Sequence, residues 1–254
     1  MSLRRILAKV KRKLFKKPFA KNKKYQAFWF DKILKDKSAL IVQIGSNDGK
    51  TGDPIYPLFK KYKKWKGLFV EPIPRSFEKL KTNYPDPNRF SFENVAINEG
   101  LEMTFYWVDP IAKESLPDLP YWYDQLNSFD KDHIVNQLDG VLEPFIKETL
   151  MEGIRLEELL TRNGVQEISI LHIDTEGYDW KILQQLDLKR YQPTFILYEY
   201  NHLSLSDKEA SFSFLKRSYD LFDVGIDILA VNKNLGTHHL QDMAKHMKKI
   251  VYTK

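Results

Sequence analysis

Cysteine is absent from the 254 residues, which excludes a disulfide framework, a thiolate metal site and a cysteine nucleophile. No apolar run approaches the ~18 residues that a membrane-crossing helix needs. The N-terminus lacks the continuous apolar core of a secretory signal, so a cytoplasmic protein is expected. No internal repeat or interdomain linker interrupts the chain.

Acidic residues are missing from one segment only. Residues 1–24 hold eleven Lys or Arg and no acid, the first acid being Asp31. The remaining body carries 29 basic against 34 acidic residues, so the basic surface is confined to this arm. Leu3, Ile6, Leu7, Val10 and Leu14 fall near helical spacing among its charges. Three roles fit such an arm: a solvated helix, a helix drawn to an anionic membrane surface, or a contact for nucleic acid. The expected arrangement is arm 1–24 followed by one domain over 25–254, with 110–131 as an inserted acceptor-side loop and 235–254 as a C-terminal tail.

Hydrophobic residues at 43% and aromatics at 13% are enough for a packed core. ALIVQIG (39–45), GLFVEP (67–72), ISILHID (168–174) and PTFILYEY (193–200) are short apolar runs that read as strands buried on both faces. RFSFENVAI (89–97) reads as one further strand and LEMTFYWVDP as an extended segment. Helical patterns lie between them: YQAFWFDKIL, DPIYPLFKK, PRSFEKLKTNY, RLEELLTRNG with Gly164 as C-terminal cap, and EGYDWKILQQL. SDKEASFSFLKRSY opens with Ser206 and has Glu209 three residues later, a capping-box spacing. DLFDVGIDILAV reads as two strands turning near Gly225. Strand–helix alternation of this kind builds a parallel sheet covered by helices.

The stretch IVQIGSNDGK then raises a question of ligand, because a glycine turn after a buried strand lies where open α/β sheets bind small molecules. Gly45 to Thr51 is one residue short of a phosphate-cradling P-loop. Its G-x-x-x-G spacing lacks the glycines that admit a dinucleotide's pyrophosphate, and Asp48 and Asp53 oppose a diphosphate. A cationic nucleoside without phosphate, S-adenosylmethionine, suits the acids instead. Glu71 ends the next strand, 22 residues beyond Gly49, where a carboxylate can accept both ribose hydroxyls. The competing reading of Glu71 is a solvated charge at a strand end.

VQIGSNDGKTGDPIYPL, FVEPIPRSFEKLKTNY, ENVAI, LNSFDKD, LHIDTEGYDWKIL and FILYEYNHL follow one another in an order that resembles the FkbM-like methyltransferases, over roughly residues 39–232. The resemblance implies an α/β class I Rossmann-like methyltransferase fold with a mostly parallel seven-stranded sheet and helices on both faces. It also implies S-adenosylmethionine as methyl donor and a hydroxyl acceptor on a sugar, glycan, glycolipid or polyketide. By position, Gly45, Ser46, Asn47 and Gly49 would follow the donor's methionine and ribose, with Glu71 on the ribose and Asn94 and Ala96 near the adenine. Asp174 would lie beside the reactive methyl, and Glu176 would start the next helix. Gln43 occupies a position that is usually acidic in such loops; its carbonyl can still accept from the donor's ammonium, without charge assistance.

A sugar hydroxyl is a weak nucleophile, and a base taking its proton is worth about 10²–10⁴ in rate. Asp174, Glu176, Glu199 and His202 follow the relevant strands and are the catalytic candidates. Against these roles stand a helix cap for Asp174 and a helix-dipole partner for Glu176. His172, inside a buried strand, reads as a hydrogen-bonded core residue. The six histidines show no zinc-type spacing and no metal is assigned, although Asp174, Glu199 and Asn201 are oxygen donors of the kind magnesium takes. Trp107, Tyr121, Trp122 and Tyr123 either cover the acceptor or pack structurally. The reading is an O-methyltransferase of a carbohydrate or glycolipid, held by its arm at the inner face of a membrane. The alternatives are an RNA methyltransferase, disfavoured because no RNA-binding module is evident; a P-loop-like nucleotide-binding protein; and a catalytically inert binding protein.

Overall fold

Apolar runs that cannot face water on either side become neighbours in the centre of one sheet. In the computed structural model, which describes residues 25–251, these are β1 (Leu40–Ile44), β2 (Lys66–Val70), β7 (Ile170–Ile173) and β8 (Phe195–Glu199), with β3 (Phe90–Glu93) at one edge. The arm, and with it the lipid and nucleic-acid readings, lies outside the described residues. The main sheet runs β11 (Lys248–Lys249), β9 (Tyr219–Asp223), β10 (Asp227–Asn232), β8, β7, β1, β2, β3. Strands β3, β2, β1, β7 and β8 are mutually parallel, and β10 is antiparallel to β8. Strand β9 is antiparallel to β10, with Gly225 turning between them at φ 114°. This is the class I methyltransferase arrangement with one addition: β11 pairs with β9 as an eighth strand.

Helices cover both faces, as the alternation of side chains along each strand requires. Val42, Ile44, Leu171, Ile173, Ile196 and Tyr198 pack with α6 (Leu156–Arg162), α7 (Asp179–Leu183) and α8 (Leu205–Leu215). Ile41, Phe69, Ile170, Phe195 and Leu197 pack on the other face with α1 (Gln26–Leu34), α2 (Tyr56–Lys61) and α3 (Pro74–Asn83). Trp29 and Phe30 of α1 are fully buried there, beside Leu240 and Met243 of α9 (Thr237–Ala244). Residues 237–249, read as part of a tail, thus add a helix and a strand to the core. Among the described residues no helix is long and apolar enough to cross a membrane.

Three local expectations change. RFSFENVAI splits: β3 ends at Glu93, and β4 (Ala96–Ile97) joins a second sheet of order β4-β6-β5. Its long members are β5 (Glu102–Val108) and β6 (Ile146–Ile154), which pair antiparallel. Strand β6 escapes sequence reading because most of its side chains are exposed, so no apolar period marks it. Helix α8 is capped by Ser204, whose hydroxyl accepts from the Asp207 amide; Ser206 lies inside the helix and bonds only to Ser204. Segment 110–131 is not bare loop, since it holds α4 (Ala112–Ser115) and a 3-10 turn, and α5 (Lys131–Val135) follows.

The glycines after β1 answer to packing. Gly49 has φ 66°, and a Cβ there would lie 2.5 Å from Leu80 and 2.6 Å from Tyr84 of the α3 end. Tyr84 also donates its hydroxyl to the Gly49 carbonyl at 2.7 Å, and Asn83 donates to the Asp48 carbonyl at 2.8 Å. The loop is therefore fixed from below by α3. Gly49→Ala combines a left-handed backbone with a side-chain overlap and is expected to cost about 2–4 kcal/mol, read as a lowered midpoint in urea unfolding. An unchanged midpoint would show that α3 does not hold the loop.

Candidate active site

The carboxyl edge of the sheet opens into a cleft of about 710 Å³ at β1, β2 and β7, with α1 and β5 contributing to its walls. Gly45, at φ 77°, makes room at its centre: a Cβ would lie 1.8 Å from the Asp174 carbonyl oxygen. The Gly45 and Ser46 amides both donate to the Val70 carbonyl at 3.0 Å, and the Asp174 amide donates to the Ile44 carbonyl at 3.0 Å. Ser46 lines the cleft, yet its hydroxyl is committed to the scaffold. It donates to the Gln43 carbonyl at 2.9 Å and accepts from the Val70 amide at 3.2 Å, tying β1 to β2.

Glu71 is the most prepared group of the donor half. One oxygen accepts from the Asn47 amide at 2.7 Å and the other from the Ile73 amide at 2.9 Å, which leaves further lone pairs on each. Asn47 adopts φ 48° to present that amide. Burial pushes the Glu71 carboxyl up to about 7, and the two amides oppose the shift. Ala96 lines the cleft between Val95 and Ile97, an apolar wall suited to a flat base. Asn94 is placed differently: its amide donates to the Glu71 and Pro72 carbonyls at 2.8 and 2.9 Å and braces the turn beneath Glu71, away from the cleft lining. Gly49 is likewise outside that lining, pressed on α3.

On the β7 side of the same β1 end the cleft is lined with unsatisfied polarity. Gln43 donates weakly to Asp53 at 3.3 Å, while its Oε1 is buried without a partner. His172, its neighbour across β1 and β7, is buried with Nδ1 also unpartnered, so it is not the hydrogen-bonded core residue expected. Burial lowers its pKa to about 4 and keeps the ring neutral. Asp53, missed as a site residue, accepts from the Ile55 amide at 2.6 Å and is raised to about 6 by burial. Asp227 also lines this region and is raised to about 7 by burial. It was missed because β10 enters antiparallel and brings its first residue, not its last, to the cleft edge.

Asp174, Thr175 and Glu176 pass along the cleft floor. The Asp174 carboxyl is raised well above its usual value, first by enclosure and then by Glu176, Asp179 and Asp227. Its surface opens to the cleft void, so water there lessens the effect until a ligand fills the space. Asp179 is fully buried and ties the turn to β8, accepting from the Thr175 amide and hydroxyl at 3.2 and 2.9 Å and from the Glu199 amide at 3.0 Å. Glu176 adopts φ 53°, a strained setting for a non-glycine residue. Ser128 donates to its carbonyl at 3.2 Å, and its carboxylate reaches His133 at 2.8 Å. Glu199 and His202 lie behind Glu176 and outside the lining, with Asn201 facing the cleft. Burial raises Glu199 to about 11 and lowers His202.

The aromatic quartet does not cover the cleft. Tyr123 is buried and donates to the Pro110 carbonyl at 3.0 Å, and Tyr121 is 57% exposed to solvent. Gln125, Asn127 and Phe129 face the cleft instead, with Phe105 of β5.

A phosphate would find this loop occupied. Asp48 already accepts from the Lys50 and Thr51 amides at 2.8 and 2.7 Å and from the Thr51 hydroxyl at 2.6 Å. Those are the donors a P-loop turns on its ligand, and the nucleotide-binding alternative has no support here.

The family model of the methyltransferase FkbM domain matches residues 43–223. No curated protein matches the chain. Methyltransferase FkbM from Methylobacillus flagellatus KT is similar at 12% identity and a TM-score of 0.46, covering 76% of this chain and 43% of its own. The chain therefore spans less than half the length of that protein. The METTL16 methyltransferase domain is 11% identical at TM-score 0.43, covering 81% of this chain and 65% of its own. M. capricolum TrmK, in complex with S-adenosyl-homocysteine, is 13% identical at TM-score 0.37, covering 82% and 68% respectively.

The carboxyls raised by burial set a direction for stability with pH. Glu71 holds its proton in the folded state up to about 7, against 4.5 when unfolded. The folded state therefore binds more protons between these values, and stability falls as pH rises through that window. Asp53 and Asp227 act in the same direction. Glu71→Gln removes one contribution, on the order of 2–3 kcal/mol, so urea unfolding at pH 5 and pH 8 should show a smaller loss for the variant than for the parent. Equal losses would contradict the enclosure of Glu71.

Proposed function

Because the chain belongs to the FkbM methyltransferase family, we propose that it transfers the methyl group of S-adenosylmethionine to a hydroxyl on a carbohydrate or glycolipid. The observation that carries the donor side is the pairing of a pre-oriented Glu71 with the unpartnered Oε1 of Gln43 across the Gly45 turn.

The residues present fit this donor. S-adenosylmethionine supplies an electrophilic methyl carbon on a cationic sulfur. Glu71 would take the ribose hydroxyls, and Val95, Ala96 and Ile97 would face the base. Gln43 Oε1 would accept from the methionine ammonium, with His172 Nδ1 beside it. Asp53 and Asp227 also line the cleft, and a bound cation that displaces their protons would gain the negative charge that position 43 lacks. Gly45 is not itself a contact that a side chain could replace, since the Asp174 carbonyl occupies its Cβ position.

Acceptor chemistry is assigned to the other half. Asp174, Glu176 and Asn201 face the cleft there, opposite Gln125, Asn127 and Phe129. Asp174 is the most open of the carboxylates and is the candidate to take the hydroxyl proton; Phe129 and Phe105 offer apolar faces to a sugar ring. Positioning supplies the rest, because an in-line displacement needs alignment rather than an enzyme nucleophile.

Calorimetry with S-adenosylmethionine should give one site per chain, and Glu71→Ala should weaken it about tenfold or more. Incubation with radiolabelled donor should place the label in a glycan or glycolipid fraction. Label in RNA would replace the acceptor class, and equal donor affinity in Glu71→Ala would remove the ribose assignment.

A further inference from the structure

Behind the acceptor half of the cleft, four side chains from separate segments converge. They are His133 of α5, Glu176 of the β7–α7 turn, Glu199 at the end of β8 and His202 three residues later; Glu176 is shared by two groups whose ligand atoms lie within 4.8 Å of one another, His133–Glu176–His202 and Asp174–Glu176–Glu199. His133 Nε2 lies 2.8 Å from Glu176 Oε2, and His202 Nε2 lies 3.9 Å from the same oxygen and 3.3 Å from Glu199 Oε1. The two imidazoles meet edge to face, with ring centroids 4.5 Å apart at 89°. Glu199 is 5% exposed, and its Oε2 has no hydrogen-bond partner.

We propose that His133, Glu176, Glu199 and His202 form a binding site for one divalent transition-metal ion. A buried carboxylate oxygen without a donor is unfavourable, and the carboxylate that carries it touches the His202 ring through its other oxygen and gathers with Glu176 and Asp174. With neutral rings and both carboxyls deprotonated by the incoming ion, the group supplies two negative charges, which a divalent cation cancels. The spacing fits as well. Ligand atoms about 2.1 Å from an ion and at right angles lie about 3.0 Å apart, and the three measured separations bracket that value. Two imidazole nitrogens with carboxylate oxygens suit manganese, iron, cobalt or zinc; magnesium and calcium prefer oxygen alone.

No metal is assigned from sequence; of the oxygen donors noted there, Asp174 and Glu199 do gather, with Glu176 rather than Asn201 as the third. His133 reaches in from the insert, and sequence spacing gives no hint because its partners lie 43 and more residues away. Ordinary ion pairing is the competing reading, and it accounts for the His133–Glu176 contact. It leaves Glu199 Oε2 orphaned. The ion's use rests on the methyl-transfer reading: bound beside Asp174 and Asn201, it would polarise the acceptor hydroxyl. The site itself does not depend on that reading.

The test uses the full chain, stripped with a chelator, and the metal chlorides alone without donor. Calorimetry should find one manganese, cobalt or zinc ion per chain and at least tenfold weaker magnesium. Cobalt should develop a visible absorption band typical of nitrogen and oxygen ligands. His133→Ala should weaken binding about 100-fold, and so should His202→Ala, which alters a more exposed ring; His238→Ala should not. Thermal melting of each variant reports whether it folds. No stoichiometric ion on the parent chain, or wild-type affinity in a folded His133→Ala or His202→Ala variant, overturns the site. Donor calorimetry on the same stripped protein separates this failure from failure of the methyl-transfer reading, since the two ligands use different residues.

Discussion

The carbonyl of Asp174 passes so close over Gly45 that any side chain there would overlap it, and β1, β2 and β7 are drawn together at that point. Their hydrogen bonds interlock: two amides of the Gly45 turn share the Val70 carbonyl, and the Asp174 amide takes that of Ile44. A glycine that looks like an allowance for ligand is thus first an allowance for the neighbouring strand. The consequence is functional even so. Because the three tips cannot drift apart, Gln43, Glu71 and Asp174 are held around one opening, as pre-organisation of a site requires.

What the opening prefers follows from its charge. Acids at 53, 71, 174, 176 and 227 line it, and among the described residues no Lys or Arg does. Asp53, Asp174 and Asp227 are raised toward neutrality by burial, and Asp174 further by neighbouring acids, so part of their charge is held back while the cleft lacks a cation. A sulfonium and an ammonium relieve that repulsion; a diphosphate would add to it. The same logic extends behind Glu176, where two imidazoles enter the acidic cluster.

The sheet was legible because its strands are doubly buried, and unbroken apolar runs such as ALIV and FILY have few other fates. Glu71 was legible too, since strand-end position and distance from the glycine turn are both linear features. The functions of Ser46, Gly49 and Asn94 were not. Their neighbours are Val70, Tyr84 and Glu71, and only the folded chain reveals that these side-chain and Cα positions serve packing. Asp53 hid in a turn, Asp227 at the start of an antiparallel strand, and His133 in an insert, each brought in by topology rather than by a local pattern. Strand β6 hid for a different reason: a strand whose side chains mostly meet water carries no burial signal.

A crystal structure of the chain with S-adenosyl-homocysteine bound would show how the cleft holds the donor. The ribose hydroxyls should lie within hydrogen-bonding distance of both Glu71 oxygens, the amino group on Gln43 Oε1, and the base against Ala96. Ligand density in any other part of the molecule, or in the cleft with Glu71 still bonded only to the Asn47 and Ile73 amides, would contradict this placement.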